Sequence, residues 1–178
     1  MLRIFITDLS AYNAGYLIGR WVSLPMSQEE RSEVILDILH EGEQVVKCGK
    51  HEEWFITDYE WTDVSIFEVS EYENLDELNQ KVETLEELEI WELPKVSFIL
   101  EEGLVITLDE AIEHIDDVIV YENSSFTDIA EQYIDEYVDL NAYSDIIVNH
   151  IDYIGIGRDL EMEGNYFSVG SDIYQYLG

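Results

Sequence analysis

Between Lys95 and Arg158 the chain runs for 62 residues without a lysine or arginine while carrying fifteen Asp or Glu. A fold for such a segment has to leave those carboxylates in water, because a buried carboxylate needs a charge or hydrogen-bond partner and no cation lies near in sequence. Over all 178 residues, 41 acids face eight Lys or Arg, a net charge of -33. The excess is uneven. Residues 1–50 hold seven acids against five basic residues, whereas 51–178 hold 34 against Lys81, Lys95 and Arg158. Ordinary soluble surfaces mix both signs. Halophilic adaptation also gives acidic surfaces, but it spreads along a chain, and here the first fifty residues are nearly neutral.

The charge does not imply disorder. Acidic disordered chains are poor in aromatic and β-branched residues, whereas this one has four Trp, twelve Tyr and six Phe in a 47% hydrophobic composition. The length suits one domain or two to three small ones. A single cysteine, Cys48, rules out an internal disulfide and fits a reducing cytosol. No signal peptide is expected. The longest uncharged run, Leu9 to Gly19, has eleven residues, against about 20 for a membrane span. An anionic membrane would repel the chain, so a cytoplasmic protein with no membrane partner is expected.

The pattern along the chain predicts an α+β fold. RIFITDL reads as a strand, followed by a turn around Asn13 and Gly15 and a second strand from Leu17 to Leu24. Ser27 with Glu30 forms a capping box for a helix to about His40, and Trp54–Trp61 is a third strand. Asn74 caps a helix that places Leu75, Leu78, Val82, Leu85 and Leu88 on one face. Beyond Pro94, Val96–Leu100 could be helix or strand. Thr107 with Glu110 opens a short helix, Val118–Tyr121 is a strand, and Ser125 caps a helix with an apolar stripe of Phe126, Ile129, Ala130, Tyr133, Ile134, Tyr137 and Val138. Strands near Tyr166–Val169 and Ile173–Tyr176 close the pattern. The division expected is a mixed-sheet segment over 1–68, a helical middle over 69–106 and an α+β C-terminal part over 107–178.

Catalytic and metal motifs are absent or incomplete. With 41 carboxylates, any acid–base pair is unspecific. No stretch fits a calcium loop. Cys48 and His51 have a zinc-like spacing, but His40, His114 and His150 provide no second pair. HEEWF at His51 lacks the second His of HExxH, and GIGRDL at Gly155 has Leu160 where a dinucleotide fingerprint needs glycine, so Gly155 and Gly157 read as turn glycines. No nucleophile elbow is present. No catalytic residue, metal or cofactor is expected.

The acids themselves remain. On the helix from Phe126, Asp128, Glu131, Asp135 and Asp139 are successive neighbours three or four apart, and such like-charge pairs cost about 0.2–0.5 kcal/mol each. Asp109, Glu113, Asp116 and Asp117 repeat the arrangement upstream. Carboxylates four apart on a helix form rungs about 6 Å apart. Duplex DNA carries one phosphate charge per roughly 1.7 Å of axis, so 33 charges correspond to roughly 56 Å of duplex. A chain that tolerates such repulsion is expected to use the charge, as an imitation of DNA presented by a stretched, curved shape or a dimer. The surface expected to do so comprises Glu83, Glu86, Glu87, Asp109, Glu110, Glu113, Asp116, Asp117, Glu122, Asp128, Glu131, Asp135, Glu136 and Asp139. Crowding should raise their pKa values on average.

With those residues in view, the chain resembles the ArdA family of antirestriction proteins, carried by conjugative elements and phages. IFITDLSAYNAGYLIGRWVSLPM, from Ile4, is similar to the family's opening through Tyr12-Asn13, Gly15, Gly19-Arg20-Trp21 and Pro25. EYENLDELN at Glu71, TLDEAIEHIDDVIVY at Thr107 and YIGIGRDLEMEGNYF at Tyr153 resemble its middle and end, in order over nearly the whole chain. ELPKVSFILEEG departs from the pattern, and Ile106 stands where an aromatic is expected. The resemblance implies an elongated, curved chain of small domains. It also implies a non-enzymatic homodimer occupying the DNA-binding groove of type I restriction-modification enzymes and protecting incoming mobile DNA, with no direct nucleic-acid binding. It places the antirestriction motif in Leu104–Val118 and the dimer contact at Leu104, Val105, Ile106 and Leu108. Two other readings stay open: a nucleic-acid mimic aimed at another DNA enzyme, such as a CRISPR nuclease, and an acidic enzyme using a carboxylate pair.

Overall fold

The computed structural model describes residues 1–47 and 49–178. Cys48, and with it the Cys48–His51 spacing, lies outside the described residues. The chain is mixed α+β, with two three-stranded antiparallel sheets and eight α-helices among the described residues. It divides into two compact units, Met1–Ala111 and Ile112–Gly178.

In the first unit β1 (Leu2–Asp8) lies between β2 (Gly19–Leu24) and β3 (Trp54–Trp61), antiparallel to both. Period-two alternation puts Leu2, Ile4 and Ile6 on one face. There they meet Val22, Leu24 and Ile56, together with Ile38 of α2 (Gln28–Val45) and Leu75, Leu78 and Val82 of α3 (Leu75–Glu86). Each such side chain, fully buried, stabilises the unit by about 1.5–3 kcal/mol. Phe5 and Trp21 meet edge-to-face at 5.5 Å. The Arg3 guanidinium sits 5.2 Å from the Trp21 ring centre.

Where a turn is expected after β1, a short helix α1 (Leu9–Asn13) forms first, because the Asp8 side chain accepts the Ala11 N–H at 2.9 Å and caps it. The turn follows at Gly15, whose φ of +88° suits glycine. The Ser27–Glu30 capping box is present, and α2 continues five residues beyond His40. Asn74 caps α3, and Leu88 falls beyond its end. The segment after Pro94 is helical: α4 (Leu93–Glu101) carries the proline in its first turn, where its missing N–H costs nothing, and buries Val96, Phe98 and Ile99. The middle stretch is thus helical, and α3 shares the core of the sheet.

Further on, α5 (Leu108–Glu113) opens on the Thr107–Glu110 reciprocal pair, and a 3-10 turn at Ile115–Asp117 leads into β4 (Val118–Tyr121). After α6 (Phe126–Tyr137), a 3-10 turn at Leu140–Ala142, α7 (Asp145–Val148) and α8 (Tyr153–Met162), strands β5 (Tyr166–Val169) and β6 (Asp172–Tyr176) complete a sheet of order β4-β6-β5. Ile129 and Ala130 of α6, Leu160 of α8 and Ile173 of β6 form its core.

Gly155 and Gly157 are not turn glycines. Both lie inside α8, and a Cβ on Gly157 would stand 2.6 Å from the Phe126 carbonyl oxygen, so the glycine permits close approach of α8 to the start of α6. The apolar stripe of α6 is also only partly consumed. Ile129 and Ala130 are buried, whereas Tyr133 and Tyr137 are 40% and 67% exposed.

Candidate functional site

Of the 41 acids, Asp8 alone is buried, and most of the others are exposed. Every expected surface carboxylate from Glu83 to Asp139 is exposed except Asp117, which is half-buried. Glu83 and Glu86 stand on α3, with Glu87 at its end. Asp109, Glu110 and Glu113 stand on α5, and Asp116 and Asp117 on the following 3-10 turn. Glu122 follows β4, Asp128, Glu131, Asp135 and Glu136 stand on α6, and Asp139 caps the Leu140–Ala142 turn. Of these expected acids α6 carries the largest group on one element, with Ile129 and Ala130 turned inward, but Asp139, expected on the same helix, lies past its end because α6 stops at Tyr137.

Several of these acids also serve the fold. Asp128 accepts from Ser125 N–H at 2.7 Å and Ser125 Oγ at 2.6 Å, Glu110 accepts from the Thr107 N–H at 3.2 Å, and Asp117 lies 2.7 Å from His114 Nδ1. The Ser125 hydroxyl, then its N–H, hold the Asp128 carboxyl below its usual range. Glu30 is lowered in the same way by Ser27, Glu52 by Lys50, and Asp63 by the Thr62 hydroxyl and the terminal ammonium. At these positions local hydrogen bonds outweigh the upward shift expected from crowding.

The two units treat charge differently. In the first, Arg3 pairs with Glu60, Arg20 with Glu41 and Asp37, Arg31 with Asp76, Lys50 with Glu52 and Lys81 with Glu73. In the second, fifteen acids face Arg158 as the sole Lys or Arg, and among the described residues Arg158 makes no ion pair.

One arrangement has no signature in the sequence pattern. Asp8 Oδ2 lies 2.5 Å from His51 Nδ1, both side chains fully buried, while His51 Nε2 lies 3.1 Å from the Val46 carbonyl oxygen. Both ring nitrogens thus face acceptors, the arrangement that suits the doubly protonated ring. The hydrogen bond to Asp8 raises the His51 pKa against the opposing effect of burial. Gly42 makes the space: a Cβ there would fall 1.9 Å from Asp8 Oδ2. A glycine inside a helical run is the only hint the sequence offers. The pair ties β1, α1, α2 and the strand approach at residue 51 together, and its burial makes it part of the fold.

The expected dimer residues lie where the chain leaves α4. Gly103, with φ +64°, donates to the Leu100 carbonyl and Leu104 donates to that of Ile99, a Schellman exit. Leu104, Val105 and Leu108 are half-buried, and Ile106 is 93% exposed.

No group of three or more His, Cys, Asp or Glu among the described residues is placed to hold a metal ion. No described helix is long and apolar enough to cross a membrane. A family model described as antirestriction protein (ArdA) matches residues 4–175. The chain belongs to the ArdA family. No curated protein sequence matches it significantly. Membership in ArdA makes this a non-enzymatic antirestriction protein whose target is a restriction system. The match spans both compact units, so the nearly neutral first fifty residues and the acidic remainder alike belong to the ArdA pattern.

Proposed function

We propose that this ArdA protein acts as a homodimer that occupies the DNA-binding groove of a type I restriction-modification enzyme, its carboxylates standing in for phosphates, and so protects incoming mobile DNA. The observation that carries the reading is the exposed set Asp128, Glu131 and Asp135 on α6, with Asp139 just past its end, within a stretch free of Lys and Arg. Rungs about 6 Å apart on such a helix offer a basic groove a row of anions at phosphate-like spacing. Glu113, Asp116, Asp117, Glu122 and Glu136 are further acids of the second unit available to the groove, and Glu83, Glu86, Glu87, Asp109 and Glu110 are those of the first. Of the three segments, 69–106 and 107–178 carry this set and 1–68 carries none of it. Ile106, almost wholly exposed, together with Leu104, Val105 and Leu108, supplies the dimer contact.

Competition decides the matter. In mobility-shift assays with a type I enzyme and its duplex, the protein should displace DNA from the enzyme and form no complex with DNA alone, since two polyanions repel. A stable complex with naked duplex, or an enzyme that binds both at once, would overturn the proposal. Sedimentation at micromolar concentration should give twice the 20.8 kDa chain mass. Replacing Ile106 by Asp should then return the monomer.

A further inference from the structure

In the second unit, residues of α6 and of strands β4, β5 and β6 line a groove of about 230 Å³. Four tyrosines line it: Tyr121 of β4, Tyr166 of β5, and Tyr133 and Tyr137 one turn apart on α6, and Glu136 lines it as well. The Tyr133 and Tyr137 rings are 4.9 Å apart and tilted by 40°, and both are open to solvent. The Tyr121 hydroxyl donates to Gln175 Oε1 at 2.9 Å. Burial, then Glu136 and Tyr137, push the Tyr121 phenol up, and burial, then Tyr121, Glu163, Tyr137 and Tyr133, do the same for Tyr166, so these phenols stay neutral at physiological pH.

We infer that this groove is an aromatic cage for a cationic side chain, the guanidinium or ammonium of an Arg or Lys presented by the enzyme the protein inhibits; the identity of that partner rests on the mimicry proposed above. Aromatic π faces attract a cation held within about 6 Å of a ring centre, and the attraction grows as the site loses water. Glu136 adds a carboxylate to the lining. No Lys, Arg or His stands among the residues that line the groove. The volume fits the end of one side chain, being smaller than the roughly 300–1,000 Å³ of sites for drug-sized ligands. Cage and carboxylates divide the work: exposed carboxylates act over distance and lose their pull in salt, whereas a desolvated ring–cation contact is short-ranged and less screened.

The test uses the full chain with tyrosine-selective isotope labels and tetramethylammonium chloride as the probe, against sodium chloride at matched ionic strength. Tetramethylammonium should shift the Tyr121, Tyr133, Tyr137 and Tyr166 ring signals saturably, and sodium should not. Tyr137→Phe, which keeps the ring, should bind within about twofold of the parent, and Tyr137→Leu, which keeps the apolar bulk, should bind about fivefold more weakly. Both changes fall on a largely exposed side chain, so the fold persists. In the DNA-displacement assay Tyr137→Leu should inhibit more weakly while Tyr137→Phe inhibits normally. Equal effects of the two salts, equal behaviour of the Phe and Leu variants, or ring shifts that follow protein concentration without probe, as a second copy in the groove would cause, each overturn the inference. If Tyr137→Leu displaces DNA as well as the parent, the cage falls and mimicry stands. If the parent displaces no DNA while tetramethylammonium still saturates the groove, mimicry falls and the cation site stands.

Discussion

Residues 1–111 and 112–178 are both acidic, yet they hold their charge in opposite ways. In the first unit the cations are spent on the fold: Arg3, Arg20, Arg31, Lys50 and Lys81 each meet a carboxylate, and the one buried acid, Asp8, has His51 against it. In the second, acids are held by helix caps and by His114, with no Lys or Arg pairing among the described residues, and the apolar stripe of α6 ends in exposed tyrosines. A chain selected only for solubility has no reason to keep its few cations at one end. In the first unit the buried Asp8–His51 pair carries the large stabilisation, exposed pairs in general being worth about 0–1 kcal/mol each, and on the mimicry proposed above the unneutralised acids of the second unit are left for outward contact.

The sharpest way to break this comparison is at the buried pair. Removing one partner of a buried ion pair costs about 3–5 kcal/mol, because the other is left unsatisfied. His51→Ala should therefore unfold the first unit at much lower denaturant while leaving the second unit's tyrosine signals in place. All four tryptophans, Trp21, Trp54, Trp61 and Trp91, lie in residues 1–111, so their fluorescence reports that unit alone. Loss of both signals together would show that the two units do not fold separately. The pair also sets a pH dependence. The folded His51 pKa is raised, so its stabilisation is fully present below the unfolded value of about 6.5 and is lost as pH rises through the folded value. The tryptophan-monitored stability should decline over that interval, and His51→Gln should flatten the decline.

Two glycines give a matched pair of intermediate effect. Gly42→Ala would press on the Asp8 carboxylate and Gly157→Ala on the Phe126 backbone, and overpacking of this kind costs about 1–3 kcal/mol. The first should be seen by tryptophan fluorescence and the second by tyrosine ring signals. Crossed responses would contradict the assignment of each contact to its own unit.

Neutralisation of α6 comes next. Exposed charge contacts are worth about 0.2–1 kcal/mol each, so Asp135→Asn alone should weaken inhibition by about fivefold at most. Replacing Asp128, Glu131, Asp135 and Asp139 together by their amides should weaken it by about 10- to 100-fold. Asn at positions 128 and 139 keeps the cap acceptors, so the fold should survive. Neutralising Glu29 and Glu33, exposed on α2 of the balanced segment, should change inhibition less than twofold. Abolition by one substitution with the fold intact would replace mimicry with a keyed contact.

Much of this was legible in the residues. The strands at Leu2–Asp8 and Trp54–Trp61, the caps at Ser27, Asn74, Thr107 and Ser125, and the exposure of the acids follow from local rules of pattern and charge. What escaped depended on distant contacts. Asp8 and His51 are 43 residues apart and meet only because Gly42 lets α2 approach β1. Gly155 and Gly157 read as turn residues because their helix owes its place to close approach with α6. Tyr133 and Tyr137 continue a core-like period, yet they line a groove open to solvent instead of a filled core.

Salt should give the smallest effect and separate fold from function. Two like charges about 6 Å apart in water repel by about 0.7 kcal/mol, and at 1 M salt the Debye length shrinks to about 3 Å, which removes most of that repulsion. Repulsion dominates in the second unit, whereas in the first, screening also weakens the ion pairs of Arg3, Arg20 and Arg31. Added sodium chloride should therefore raise the melting temperature seen by the second unit's tyrosine signals by a few degrees, and that seen by tryptophan by less. The same screening weakens attraction to a basic groove, so affinity for the restriction enzyme should fall over the same range. Melting curves and binding isotherms across one salt series check both trends. Affinity that stayed flat while the second unit gained stability would mean that the carboxylates serve solubility and leave recognition to uncharged contacts.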